Sequence, residues 1–251
     1  MRSATTLILI LAASGAAFGQ TFEAASIRVR QGAPQWKFAT SGSRLTIESY
    51  TLFGLVQEAY DLQNYQVQSA GMPALMLSND TLYDITAKAE GDGTPTRAQF
   101  RQMLQALLAD RFKLKVRWEP VEMPVYALVV GKGGPKFKPS SPDSDPTVRV
   151  TCSPNCTSNY VVTMPKGTME DLARQLGGPG MERPVVDKTG VAGTFDIKLT
   201  YKPERSGNPE PDLNDISIFT AVQDQLGLKL EPRQATIDTL VVDHVEKPSE
   251  N

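Results

Sequence analysis

Apolar and polar positions alternate along the chain with a period that changes from segment to segment. Leu45 and Ile47 lie two residues apart between polar neighbours, which predicts a strand with one buried face. The next apolar positions have the spacing of one helical face; they are Leu52, Leu55, Val56 and Ala59. Short strands with amphipathic helices packed on one face of their sheet belong to the α+β class.

Three more segments combine helical spacing with a capping residue before the first turn. The clearest follows Thr94 and Pro95, and Thr94 is the predicted cap. The other two follow Thr168 and Ser217. Later strands are predicted at residues 113–118, 125–130, 160–164, 184–186, 194–201, 228–230 and 239–245, with residues 119–124 as a hairpin connection between the first two.

Two short motifs occur twice, with the same separation along the chain. Residues 83–85 (Tyr-Asp-Ile) recur as residues 195–197 (Phe-Asp-Ile), and residues 128–130 (Leu-Val-Val) recur as residues 240–242. Repetition on this scale indicates two copies of one small unit. The predicted fold is therefore α+β, with two related small units that each have a short sheet and two helices packed on one face.

The composition changes between residues 131 and 159, where Gly, Pro, Ser and Asp are frequent. We expect this segment to be a linker, although a long functional loop on a single domain remains an alternative. The predicted organisation is a signal peptide at 1–19, a first α/β unit at 20–130, the linker at 131–159 and a second α/β unit at 160–251.

The first residues have the features of an export signal. Arg2 is followed by an apolar segment at residues 7–17, and Ala17 and Gly19 are small residues before a cleavage site at Gln20. The apolar segment is too short for a comfortable transmembrane span. The mature chain is therefore expected in the periplasm or outside the cell, without stable membrane insertion after cleavage.

Charge and cysteine content narrow the classes of partner. The 26 basic and 28 acidic residues give no electrostatic case for nucleic acid or for an anionic membrane surface. The two cysteines, Cys152 and Cys156, are closely spaced in a chain that we expect to be exported. They predict a structural disulfide that closes a small loop.

Signatures of catalysis and of metal binding are weak. His244 is the single histidine, so a zinc peptidase of the His-Glu-x-x-His kind is excluded. Asp143 and Asp145 lack the glycine and the terminal glutamate of a calcium loop, and a solvated segment is the better interpretation. We expect no catalytic residue, no metal and no cofactor.

A few other residues are candidates for contact or for structure. Trp36 and Trp118 are candidates for a binding face, but aromatic side chains on strands more often serve packing. Asp84 and Asp196 occupy matching positions of the repeated motif, and we favour a structural role for both. Residues 187–190 (Asp-Lys-Thr-Gly) match the phosphorylation motif of ion pumps, but a turn explains them better.

Several segments together resemble a known family. They are residues 22–27, 83–89, 103–114, 124–134, 183–190 and 242–251. These segments are similar to the soil-associated family of exported proteins, expanded in acidobacteria, whose shared region is a domain of unknown function. Some relatives carry this region behind a membrane metallopeptidase of the BlaR sensor type. The resemblance implies export, a two-part α/β region and no established activity.

A weaker resemblance concerns layout alone. Each half is similar to the short N-terminal domains of secretins and TonB-dependent receptors, which are interaction or signalling modules. The sequence thus favours a non-catalytic protein-interaction module of the cell envelope, with an unidentified envelope protein as partner. A ligand-sensing extracytoplasmic domain is the alternative, and an unrecognised hydrolase is a third hypothesis.

Overall fold

A computed structural model describes residues 21–68, 71–91, 93–152, 160–178, 181–202 and 216–248. Within these residues, the helices are α1 (Leu52–Tyr60), α2 (Ala74–Leu77), α3 (Arg97–Arg111), α4 (Met169–Leu176) and α5 (Ile218–Leu226). The strands are β1 (Phe22–Val29), β2 (Lys37–Ser41), β3 (Arg44–Tyr50), β4 (Tyr83–Ala89), β5 (Lys115–Val130), β6 (Lys138–Pro139), β7 (Arg149–Cys152), β8 (Tyr160–Gly167), β9 (Val185–Asp187), β10 (Phe195–Tyr201) and β11 (Leu228–His244). The predicted α+β class is confirmed.

The chain divides into two compact units. Unit 1 comprises Met1–Arg117 and Leu240–Asn251, and unit 2 comprises Trp118–Thr239. The division differs from the predicted one because it falls within two long strands, β5 and β11. Unit 2 is therefore inserted into the sequence of unit 1.

Sheet 1 of unit 1 has the strand order β1-β4-β3-β2, with all neighbours antiparallel. Thr51 caps α1 by accepting a hydrogen bond from the backbone N–H of Gly54 at 3.0 Å. Thr96, rather than the predicted Thr94, caps α3, because its hydroxyl and the Gln99 side chain form a reciprocal capping box. The apolar faces of both helices join the core formed with the inward residues of sheet 1.

Sheet 2 of unit 2 has the order β6-β10-β8-β7, also antiparallel. Thr168 and Ser217 cap α4 and α5, as predicted. The core of this unit combines the inward residues of β8 and β10 with both helices. Residues 131–159, expected to be a linker, thus contribute both edge strands of sheet 2, β6 and β7.

The two sheets share an irregularity next to their helices. In sheet 1, residues 47–50 of β3 pair with residues 83–85 of β4, so β3 carries one extra residue. In sheet 2, residues 164–167 of β8 pair with residues 195–197 of β10 with the same excess. A bulge of this kind bends the strand locally. In both sheets the bulged strand leads directly into a helix, α1 or α4.

A third sheet has the order β11-β5-β9. The hairpin connection predicted at residues 119–124 is wrong, because β5 runs through it as one strand of 16 residues. Similarly, the segments predicted as separate strands at 228–230 and 239–245 belong to one strand of 17 residues, β11. Prolines at 120 and 124 suggested that the strand is interrupted there. A strand nevertheless tolerates proline at a position whose backbone nitrogen is not needed as a donor to a neighbouring strand.

Two predictions fall on residues that the structure does not describe. The signal peptide at 1–19 lies outside the described residues. Cys156 and the side chain of Cys152 lie outside them as well, so the disulfide stays a prediction.

Candidate interaction surface

In sheet 2, a row of paired apolar side chains runs from two buried residues to an exposed residue on the edge strand. Leu199 of β10 pairs with Val162 of β8, which in turn pairs with Val150 of β7. Leu199 and Val162 are 0% and 1% exposed, whereas Val150 is 48% exposed. The row therefore begins in the core and ends in solvent.

Val148, just before β7, extends the same pattern. It lies two residues from Val150, and residues two apart in an extended chain face the same side of a sheet. Val148 is 37% exposed. Among the residues that the structure describes, β7 is the last strand in the order of sheet 2 and pairs with β8 on one side only, and these valines lie beside its other side. We call residues 148–151 the open edge.

The opposite face of the open edge is cationic. Arg149 pairs across the sheet with Thr163, and Thr163 pairs with Lys198 of β10. The Arg149 guanidinium also forms an ion pair with Asp145. Hydrogen bonds from Thr147, together with this guanidinium, lower the pKa of Asp145 to about 2. The pair therefore stays ionised at neutral pH.

The corresponding edge strand of sheet 1, β2, ends its apolar rows in a covered or a polar side chain, and we call it the closed edge. Ile85 pairs with Ile47, and Ile47 pairs with Phe38 of the edge strand β2. The Arg97 guanidinium lies 4.8 Å from the centre of the Phe38 ring and is itself held by Glu58 at 3.0 Å. A cation over an aromatic ring covers its face and is favourable.

The neighbouring row of sheet 1 ends in a polar residue. Ala87 pairs with Leu45, which pairs with Thr40 of β2. Ala87 and Leu45 are 2% and 0% exposed. Because the row ends in a threonine rather than a valine, β2 presents less apolar surface than the open edge does.

Trp36, one of the predicted contact candidates, lies on a pinned loop in front of β2. Its side chain is 72% exposed. The backbone N–H of Gln35 donates to the Ser49 hydroxyl at 2.7 Å. Arg30 donates to the Ala33 carbonyl at 3.1 Å. The loop is therefore held at residues 33 and 35, directly before the exposed Trp36.

Asp84 braces this region, as its predicted structural role requires. It accepts a hydrogen bond from the Ser49 N–H at 2.9 Å and an ion pair from Arg30 at 3.0 Å. Ser49 is fully buried and has a left-handed backbone with φ of 63°. The matching Asp196 is exposed on β10, opposite Lys138. The two copies of the motif thus place their aspartates in different surroundings.

Trp118 lies on β5, where nearby prolines disfavour the pairing of a further strand. It is 50% exposed. The N–H of Tyr126 points towards β9, where it donates to the Pro184 carbonyl at 2.7 Å. Backbone N–H groups of alternate residues point to the same side of a strand, so Pro120 and Pro124 occupy positions where an added strand would need a donor. Prolines there disfavour pairing with another chain.

The remaining candidates show no catalytic arrangement. His244 is exposed, and its Nε2 atom lies 2.9 Å from a carboxylate oxygen of Glu246. Asp187 accepts hydrogen bonds from the N–H and hydroxyl of Thr189 at 2.8 Å, which is the predicted turn. Among the described residues, no three His, Cys, Asp or Glu side chains lie together in a way that would hold a metal ion.

A depression of about 360 Å³ lies on unit 2 between α5 and β11. Its lining residues are Phe219, Thr220, Gln223, Asp224, Lys229 and Leu230. Lys229 is already engaged, since its ammonium group lies 3.2 Å from a carboxylate oxygen of Glu231. The depression combines an aromatic side chain with charges of both signs.

Sequence reasoning missed the open edge. The alternation of Val148, Arg149 and Val150 was a signal for a strand, but the surrounding Pro and Ser residues favoured a linker. Exposure of the two valines was not predictable, because it depends on which strand of the sheet is last.

Comparisons with known proteins place the chain in a family. No helix in the described ranges has the length and apolar character needed to cross a bilayer. No curated protein and no solved structure matches the chain. Residues 54–245 match the family described as "Protein of unknown function (DUF3738)". Since this match spans more than half of the sequence, the chain belongs to the DUF3738 family, and the domain of unknown function expected from the resemblance is confirmed.

Proposed function

We propose that this chain is a non-catalytic interaction module of the cell envelope that binds an extended segment of another envelope protein along the open edge of sheet 2. The observation that carries the proposal is the exposure of Val150, at the end of a row whose other residues are buried, together with that of Val148 two residues before it. A strand added to this edge gains backbone hydrogen bonds and covers both valines.

The energetic gain from such pairing is modest per residue and adds up along the strand. Burying the exposed half of each valine contributes roughly 1 kcal/mol, at about 25 cal/mol per Å² of apolar surface. Each new backbone hydrogen bond contributes about 0.5–1.5 kcal/mol net. Within β7 no residue is a proline, so the N–H groups of the alternate residues that point away from β8 can donate to an added strand. The proline-bearing part of β5 lacks this property.

Site-specific photo-crosslinking in the host organism tests the proposal. A photoreactive amino acid at position 150 is compared with the same group at position 40, its counterpart on the closed edge of sheet 1. We expect one envelope protein to be captured from position 150 alone. Mapping the adduct should place it in an extended segment, and V148S should reduce the yield. Equal capture from both positions, or no loss with V148S, would contradict the proposal.

We also propose that the chain is exported and that the signal peptide is removed before Gln20. The support is the charged start, the apolar segment and the small residues before that position. Mass spectrometry of the protein from the envelope fraction should find a first residue at Gln20. A full-length chain confined to the cytoplasm would contradict export and, with it, an envelope partner.

Ligand sensing is the second candidate function, and the depression between α5 and β11 favours it. Phe219 and Leu230 supply apolar surface, while Asp224 and Lys229 supply both charges. Such a lining suits a small zwitterion with an apolar part. A thermal-shift screen with amino acids, short peptides, sugars and cell-wall fragments should reveal binding, and D224N should abolish it. A screen without a single stabilising compound would remove this candidate.

We infer in addition that the two units derive from one ancestral unit. The support is the common strand order, the matching bulge before α1 and α4, and the recurrence of residues 83–85 as 195–197. In a crystal structure, superposing these motifs should bring β3 onto β8 with the bulges aligned. Misaligned bulges would contradict common descent.

A further inference from the structure

The face of the open edge that carries Arg149 restricts what a bound strand can present. Side chains alternate between the two faces of a strand, so Val148 and Val150 lie on one face while Arg149 and Thr151 lie on the other. An added strand places its own residues in register with these rows. It therefore meets apolar surface at two alternate positions and a cation at the position between them.

The cationic row points to a carboxylate at that middle position. Arg149 ends the row that runs through Thr163 to Lys198, and the Arg149 side chain is 52% exposed. Directly opposed residues of neighbouring antiparallel strands have Cα atoms about 4.5–5.5 Å apart. A glutamate or aspartate opposite Arg149 is thus within reach of the guanidinium, whose planar donors match a carboxylate.

The ion pair with Asp145 shows that the Arg149 guanidinium is accessible to a carboxylate in the free protein. Asp145 lies four residues before Arg149 and pairs with its Nη2 atom. Its side chain is 47% exposed, so the pair is at the surface rather than sealed in the core. An incoming acidic side chain competes with Asp145 for Arg149 or shares its remaining donors.

We infer that the segment bound along the open edge carries an acidic residue between two apolar residues, with the acidic side chain opposite Arg149. This inference rests on the proposed function, because it describes the partner of the same edge. It adds a charge requirement that apolar coverage of Val148 and Val150 does not imply.

Three short blocked peptides test the inference on the full mature chain by fluorescence anisotropy. They are identical except for their centres, which are Val-Glu-Val, Val-Lys-Val and Ser-Glu-Ser. We expect the Val-Glu-Val peptide to bind most tightly. Exchange of its glutamate for lysine should weaken binding about two- to fivefold or more, the range of exposed ion pairs. The Ser-Glu-Ser peptide should bind least.

Charge exchange on the protein supplies the matched variants. R149E should reverse the preference, so that the lysine peptide binds more tightly than the glutamate peptide. D145N should strengthen binding of the glutamate peptide, because it removes the competing carboxylate. R233E is the control, since Arg233 is an exposed arginine of β11 that likewise pairs with a neighbouring carboxylate, Glu231, at 2.7 Å. It should leave the preference unchanged.

The outcomes separate this inference from the function on which it rests. Equal binding of the glutamate and lysine peptides, unaffected by R149E, overturns the charge requirement and leaves strand pairing intact. Absence of binding by both valine peptides, with no difference between the wild-type chain and V150S, overturns strand pairing at this edge. Reversal by R149E together with an unchanged R233E supports both.

Discussion

Sheets 1 and 2 have the same strand order but finish differently at corresponding edges. In sheet 1 the last strand, β2, ends its apolar rows with Phe38 under the Arg97 guanidinium and with Thr40. In sheet 2 the last strand, β7, has Val150 in solvent, as is Val148 just before it. Strand order alone therefore does not determine the chemistry of a sheet's edge. A few edge residues decide whether a sheet is closed or ready to accept another strand.

We expect the greatest change in stability at the residue before the Leu-Lys pair that follows α3 in unit 1 and α5 in unit 2. Gly227 and Lys113 both have left-handed backbones, with φ of 67° and 53°, and each precedes a Leu-Lys pair. A Cβ on Gly227 would also collide with the carbonyl oxygen of Gly134. We expect G227A to lower the free energy of unfolding by about 3 kcal/mol, from left-handed strain and crowding combined.

The matched change in unit 1 should act in the opposite direction. K113G relieves the left-handed strain at Lys113 and should raise the free energy of unfolding by up to about 1 kcal/mol. Urea denaturation measures both variants. Equal effects of G227A and K113G would contradict the correspondence of these positions.

The second prediction compares two valines of one row. V162A should lower the free energy of unfolding by about 2–3 kcal/mol, because it leaves a cavity in the core of unit 2. V150A should lower it by less than about 1 kcal/mol, since half of that side chain is already in solvent. Denaturation monitored by circular dichroism gives both values. A cost for V150A as large as that for V162A would show that the edge is covered.

The third prediction compares the two aspartates of the repeated motif. D84A removes one of the partners of Arg30 and the acceptor for the N–H of the buried Ser49, and should lower the free energy of unfolding by about 1–3 kcal/mol. D196A should change the free energy of unfolding by about 0.5 kcal/mol at most, because Asp196 is exposed. Chemical denaturation measures the free energy of unfolding of both variants. Similar losses in D84A and D196A would contradict the difference between the two positions.

The fourth prediction opens the closed edge. R97A removes the cation above Phe38 and should lower the free energy of unfolding by about 0.5–1 kcal/mol. Combined with T40V, it gives β2 an apolar edge like that of β7. The double variant should bind the Val-Glu-Val or Val-Lys-Val peptide at a second site, detected as a changed stoichiometry in calorimetry. Unchanged stoichiometry would show that other residues keep β2 closed.

The smallest effect concerns alkaline pH. Burial raises the pKa values of Tyr60 and Tyr83 in unit 1 and, with a contribution from Tyr160, that of Tyr201 in unit 2. A raised pKa in the folded state means that the unfolded chain loses its protons first. The contribution of these tyrosines to the free energy of unfolding is therefore complete below about pH 10, the ordinary pKa of tyrosine. It is lost as the pH rises through their higher pKa values in the folded state.

Thermal melts between pH 8 and 11 check this dependence. Y60F and Y83F should each flatten the alkaline decline, because burial raises the pKa of both phenols in the folded protein. An alkaline decline that both variants leave unchanged would show that other groups cause it.

Local signals along the chain anticipated the helices better than the strands. Thr168 and Ser217 cap helices as predicted, because a cap depends on residues within one turn. The long strands β5 and β11 were divided, since proline looks the same in a hairpin connection and at a strand edge.

The candidate surface depended on information that no single segment holds. Val148 and Val150 are exposed only because β7 is last in the order of sheet 2. Likewise, Thr40 and Phe38 matter only through their partners across the sheet and through Arg97. Pairings between distant segments therefore set the surface, whereas spacing along the chain set the helices.

The insertion of unit 2 into unit 1 has a consequence for the order in which the polypeptide folds as it emerges. Leu240 and Val242 complete the core of unit 1 and are 0% and 3% exposed. Every residue of unit 2 is synthesised before Leu240 and Val242. The first 117 residues of unit 1 therefore lack part of their core until residues 240–251 have been synthesised, and unit 1 completes its folding last. A truncation that removes Leu240 and Val242 would therefore destabilise the N-terminal unit, although both residues lie near the other end of the sequence.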